Sequence, residues 1–165
     1  MGSITVVPAR LDWLEALAVG NDEFTARFGI DVAPEWLAFP EALPHLVAAA
    51  REQDEDPWGT QLFFDADGVL VGFGGFKGPP ADGAVEVGYA VAPSRRERGI
   101  ATAVTRTMIE RAASAGVTLV LAHTLPESNA STRVLERCGF VHVGSVAEDP
   151  DGDEGEVWRW ELALA

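Results

Sequence analysis

Cysteine, tyrosine and methionine are nearly absent: the 165 residues include one, one and two of them respectively. A single thiol, Cys138, excludes an internal disulfide, and three scattered histidines with no paired cysteines or His-Glu-x-x-His run offer no metal site. Bases are scarce as well. Twelve Lys and Arg face 26 Asp and Glu, and the resulting net charge of −14 opposes sequence-independent nucleic-acid binding and adhesion to anionic lipid. No apolar run approaches the ~20 residues that span a bilayer. Met1 to Val6 has neither the basic nor the apolar stretch of a secretory leader. These absences predict a cytoplasmic protein with no membrane and no nucleic-acid partner. Two further motifs are missing. Gly72-Phe73-Gly74-Gly75 is glycine-rich but lacks Gly-Lys-Ser/Thr and opens no helix, and no Gly-x-Ser-x-Gly supports a hydrolase triad.

What remains has a globular balance, 47% hydrophobic and 23% charged. No repeat and no Ser/Gly linker divides it, so residues 1–165 are expected to form one domain. Ile4 to Val7 reads as a short strand, followed by a helical stripe of Leu11, Leu14, Leu17 and Ala18. Pro40 and Pro44 should break the region from Pro34 to Gln53 into a short piece and a longer helix. Thr60 to Phe64 and Val69 to Phe76 flank Asp65-Ala66-Asp67-Gly68, whose Asp-Gly step takes a hairpin turn, and the strand Val85 to Val91 follows. From Gly99 to Ala115 the apolar residues Ile100, Val104, Met108 and Ala112 lie four apart, a clear helix with Gly116 at its C-cap. A buried strand Val117 to Ala122, a helix Asn129 to Cys138 and closing strands Phe140 to Val146 and Val157 to Leu164 complete the order β-α-α-β-β-β-α-β-α-β-β. This is an α/β (α+β) domain around one mixed, largely antiparallel sheet of about seven strands.

The charge is not evenly spread. Residues 95 to 137 hold seven bases against four acids, a balance of +3, which leaves the remainder at −17. Arg95, Arg96 and Arg98 stand just before Gly99, where a helix opens. A helix N-terminus offers unpaired N–H donors and about half a positive charge, so this segment suits a phosphate.

Arg96-Glu97-Arg98-Gly99-Ile100-Ala101 resembles the pyrophosphate loop of the GNAT acetyltransferase superfamily. Glu86 to Pro93 before it and Ser131 to Phe140 after it stand in the order and spacing of the ribosomal-protein N-terminal acetyltransferase (RimJ/RimL-like) branch. The resemblance covers roughly residues 60 to 145. It implies a sheet splayed between the fourth and fifth strands, with acetyl-CoA in the opening. The pantetheine would pair with the backbone of Tyr89, Ala90 and Val91, and the pyrophosphate would meet amides from Arg96 through Arg98, Gly99, Ile100 and Ala101 to Thr102. Asn129 is carried over as a further CoA contact. The activity implied is acetyl transfer to a primary amine by direct attack in a ternary complex, with no metal. The alternative is a module that binds acyl-CoA without turnover.

Such chemistry needs a neutral amine, a donor for the developing oxyanion and help for the departing thiolate. Glu86 is the candidate base, sharing a strand face with Gly88 and Ala90, where small residues leave room for a ligand. His123 is an alternative proton carrier. The tyrosine that many members place on the later helix falls here on Leu135, and Ser131, one turn earlier, is the residue expected to hydrogen-bond the thiolate. A backbone amide near Val91 would serve the oxyanion. The acidic run Glu148 to Glu156 reads either as solvated loop or as an attractor for a cationic amine. His45 is expected to be partly buried, and Cys138, Trp158 and Trp160 are expected in the core. The acceptor could be a peptide α-amine, a polyamine or another small amine. Dimers are common among similar proteins, and the sequence leaves the oligomeric state open.

Overall fold

The computed structural model describes residues 3–37, 39–147 and 155–164. Seven strands form one sheet in the spatial order β1-β2-β3-β4-β5-β7-β6. They are β1 (Thr5–Pro8), β2 (Thr60–Phe64), β3 (Leu70–Phe76), β4 (Ala84–Val91), β5 (Leu119–Thr124), β6 (Val141–Val146) and β7 (Val157–Ala163). Five helices flank them: α1 (Leu11–Val19), α2 (Asn21–Phe28), α3 (Leu43–Glu52), α4 (Ile100–Ser114) and α5 (Ala130–Arg137). Every pairing is antiparallel except β4 with β5.

The two faces of the sheet bury different clusters. Leu14, Leu17, Phe24, Val47 and Ala50 from α1 to α3 pack with Leu62, Phe64 and Leu70 on one side. On the other, the α4 stripe is buried as its four-residue spacing predicts. Ile100 and Val104 meet Val6, Phe63 and Val71, while Met108 and Ala112 meet Val85, Val87 and Val120. Gly68 takes φ +80° in the β2–β3 turn, the conformation its Asp-Gly step predicts. Pro40 starts a 3-10 turn and Pro44 sits in the first turn of α3, so the two prolines divide that region as expected.

Three local expectations change. Helix α2 was not expected, because Asn21 to Phe28 carries only Phe24 and Phe28 on an otherwise polar segment; packing of those rings against Trp13 supplies what periodicity did not. Strand β5 starts at Leu119, not Val117, since Val117 donates back to Ala112 in closing α4 and Thr118 donates to Gly83. His45 is exposed instead of partly buried. The acidic run falls outside the described residues, save Gly155 and Glu156.

Gly72-Phe73-Gly74-Gly75 forms the part of β3 that lies against β4. A Cβ at Gly72 would stand 2.3 Å from the Ala90 carbonyl oxygen, and one at Gly74 would stand 2.2 Å from that of Gly88. The glycines therefore let two backbones approach closely just where β4 shapes the site.

Candidate active site

β4 and β5 pair only over Ala84↔Leu119, Val85↔Val120 and Glu86↔Leu121. Past Glu86 the strands part, while β4 stays bonded to β3 as far as Gly72↔Val91. Lys77 N–H donates to the Glu86 carbonyl and Ala92 N–H to that of Val71, so even-numbered residues of this stretch turn their backbone groups to β3. By alternation, Val87, Tyr89 and Val91 present theirs to the gap. This is where the sequence places a strand-like ligand on Tyr89, Ala90 and Val91.

The gap continues into a cleft of about 920 Å³. Its far wall is the turn from Pro93 into α4. Glu97 at φ +62° and Gly99 at φ +78° are left-handed, and Gly99 is the residue just before α4. Alternating backbone of this kind gathers successive N–H groups toward one concavity, beside the free donors of the helix start. A left-handed glutamate costs on the order of 1 kcal/mol, and such strain is found where backbone geometry serves a site. Arg95 is not free to serve it, because its guanidinium is 3.0 Å from Asp65 and pins the turn to the β2–β3 hairpin. Arg96 Nε donates to the Val91 carbonyl at 3.3 Å, which places its guanidinium at the cleft wall.

Replacing Gly99 by Ala puts a Cβ on a left-handed residue at a cost of about 1 kcal/mol. The amides of residues 97–102 are expected to shift, and acetyl-CoA affinity measured by calorimetry to fall about tenfold with the melting temperature lowered by only about 2–4 °C.

Helix α5 forms the second wall. Asn129 caps it, its side-chain oxygen accepting from Thr132 N–H while the Thr132 hydroxyl accepts from Asn129 N–H. Ala130, Ser131, Arg133, Val134 and Arg137 then line the cleft at helical spacing. Arg133 and Arg137 entered the sequence reading through the charge count and as part of the Ser131 to Phe140 motif, with no site role given to either; their i, i+4 spacing is the signal that puts both on one face. Leu135 is buried in the core at 1% exposure and does not line the cleft. Of the residues expected at the ligand, Tyr89, Ala90, Val91, Arg96, Gly99, Ile100, Ala101, Thr102 and Ser131 are brought together; Arg98, Asn129 and Glu86 do not line this cleft. Phe39, exposed and from the segment before α3, also lines the cleft, and nothing in its sequence context marks it.

Glu86 stands on the opposite face of β4 from Tyr89, at the point where the strands divide. Its Oε2 is 2.9 Å from Lys77 Nζ and 3.1 Å from His123 Nδ1, and neither contact uses Oε1. Its side chain is 17% exposed. His123 is 7% exposed, and its Nε2 is buried without a hydrogen-bond partner. The two residues weighed separately as proton carriers thus form one unit, with Lys77 holding it. On the other face the Tyr89 hydroxyl lies 3.1 Å from Ser131 Oγ. Burial pushes the Tyr89 phenol above its ordinary value, with the Ser131 hydrogen bond opposing. Burial also raises the Cys138 thiol, which packs against the core beside Thr102. Among the described residues, no group of three or more His, Cys, Asp or Glu could hold a metal ion, and no helix is long and apolar enough to cross a membrane.

The arrangement suits a phosphorylated, strand-like ligand whose reactive end sits between a carboxylate and a hydroxyl pair. Residues 4–141 match the family model for the acetyltransferase (GNAT) domain. No curated protein matches the sequence significantly. Among solved structures, a spermidine N-acetyltransferase SpeG chimera from Vibrio cholerae and hSSAT superposes with TM-score 0.72 at 17% identity, covering 98% of this chain and 95% of that one. The microcin C7 self-immunity acetyltransferase MccE, solved with acetyl-CoA and AMP, gives 0.72 at 18% identity over 98% and 93%. The ribosomal-protein-S5-alanine acetyltransferase of Vibrio fischeri gives 0.69 at 16% over 99% and 94%. At such identities these likenesses establish the fold.

Proposed function

The chain belongs to the GNAT acetyltransferase family, and from that premise we propose that it acetylates a primary amine by direct attack on acetyl-CoA in a ternary complex. It is an acetyltransferase that uses acetyl-CoA, as its family does. The observation that carries the finer reading is the parting of β4 and β5 at Glu86, which opens the sheet between a carboxylate on one face and the Tyr89–Ser131 hydroxyls on the other.

In this reading the amides of residues 96–102 and the guanidinium of Arg96 hold the diphosphate, and the gap-facing backbone of Tyr89 and Val91 aligns the pantetheine. The thioester carbonyl meets a backbone N–H of that stretch, where negative charge develops. The amine enters from the Glu86 face. Attack forms the C–N bond, the C–S bond breaks with its electron pair going to sulfur, and Glu86 accepts the amine's proton directly or through water. Arg133 and Arg137 add positive charge along the phosphate end, so acetyl-CoA affinity should weaken as salt rises.

The RimJ/RimL-like motifs favour a peptide α-amine as acceptor. An α-amine near pKa 8 is already about a tenth neutral at pH 7, whereas a lysine is almost wholly protonated. We place the enzyme in the cytoplasm, acting as one domain and open to homodimer formation. The acidic run is offered as an attractor for a cationic acceptor.

The buried Leu135, standing where many relatives have tyrosine, favours one other reading, an acyl-CoA-binding module without turnover. Calorimetry with acetyl-CoA, followed by CoA release with a panel of peptide α-amines, polyamines and small amines, separates the two. Binding with amine-dependent CoA release is the expected result; binding without release for any amine would favour the module, and no binding would overturn both.

A further inference from the structure

The fold brings together two hydroxyls 42 residues apart in sequence, and one of them belongs to the only tyrosine of the chain. Tyr89 reaches from β4 toward the first turn of α5, where its hydroxyl stands 3.1 Å from Ser131 Oγ and 3.4 Å from the Ser131 carbonyl oxygen. The carbonyl can only accept, whereas either hydroxyl can be the donor of the 3.1 Å contact. When the phenol donates to Oγ, Ser131 has its own hydrogen left to give. Both residues line the cleft between the parted strands.

We propose that Tyr89 is a positioning residue for the leaving sulfur: by donating to Ser131 Oγ it turns the Ser131 hydroxyl outward, to donate to the thiolate of departing CoA. This rests on the acetyl-CoA reading of the cleft given above. No proton changes owner in the step. The sulfur takes the electron pair of the broken C–S bond and shares the Ser131 hydrogen, and the amine's proton leaves by Glu86 on the other face. Without the phenol, a serine in the first turn of a helix is free to rotate toward backbone carbonyls of its own segment. With it, that rotation gives up a hydrogen bond. Burial raises the phenol above its ordinary value, which favours the protonated form that can donate. The role that Leu135 cannot fill is thereby shared between a strand and a helix.

The test needs no acceptor amine. CoA and desulfo-CoA are titrated by calorimetry into the full-length protein between pH 7 and 9.5, across the range where a thiol near ~8.5 ionises. If the pair stabilises the thiolate by about one pK unit, the affinity of CoA relative to desulfo-CoA rises about fivefold or more over that range. Tyr89→Phe and Ser131→Ala should each abolish most of the rise, and the double variant should lose no more than either alone. Desulfo-CoA affinity should stay within about twofold in all of them, which a merely structural role for Tyr89 would not allow. The other charged and titratable groups about the pair, Cys138, Arg95, Arg96, Glu97, Arg106, Arg133 and Arg137, are the same in every variant. A rise in Tyr89→Phe as large as in the unaltered protein overturns the proposal, as does the absence of any rise in the unaltered protein. Failure of both nucleotides to bind the unaltered protein instead overturns the reading of the cleft.

Discussion

Glu86→Gln is expected to lower turnover by about a hundredfold or more while leaving acetyl-CoA affinity within about twofold. The glutamine keeps the shape of the side chain and an oxygen for Lys77 and His123, so the split between β4 and β5 should survive. What it loses is the ability to accept a proton. Because Glu86 lies on the face away from the cleft proposed for acetyl-CoA, the defect should fall on kcat and not on the nucleotide's dissociation constant. With an α-amine acceptor the gap between the two proteins should narrow as pH rises past ~8, since more of the amine arrives neutral. Steady-state kinetics across pH checks both parts. Equal turnover at every pH would remove Glu86 as the base and leave it an ion-pair partner of Lys77.

The largest loss of stability is expected from Gly74→Ala. The added Cβ would meet the Gly88 carbonyl oxygen at 2.2 Å, the Tyr89 Cα at 2.7 Å and the Phe63 ring at 2.9 Å. Two of these are backbone atoms, so no side-chain rotation relieves them; β3 and β4 must separate. A cost of about 3 kcal/mol follows, or roughly a 6–12 °C fall in melting temperature for a chain of this size. The same displacement moves Tyr89 off Ser131, so acetyl-CoA binding should weaken even in the fraction that stays folded. A thermal melt within about 2 °C of the unaltered protein would show that the strands are not held this closely.

These two variants also mark where the sequence was informative. Gly72-Phe73-Gly74-Gly75 could be read as close backbone packing, because mid-strand glycine has few other uses, but which strand approaches it depends on register. Glu86 could be picked out by strand alternation and by the motif around it. Lys77 and His123 could not be attached to it, since they arrive from just past the end of β3 and from β5 through pairings that no local pattern encodes. Ser131 was assigned to the sulfur by resemblance alone, and Tyr89 was assigned only its backbone. Helix α2 was missed for the converse reason: its propensity is weak, and aromatic contacts with Trp13 stabilise it.

By itself the sequence determined the order of the strands and of every helix but α2, the α4 stripe, the glycine that opens that helix and the concentration of arginines around it. Each is a local property, set by spacing along the chain, by backbone freedom at one residue or by composition. Only the tertiary structure decided that Glu86 is clasped by Lys77 and His123 and that the Tyr89 phenol reaches Ser131. Side chains 37 and 42 residues apart meet only once the sheet's register is set. That register follows from burying two hydrophobic clusters on opposite faces together, a condition on the whole chain and not on any segment of it.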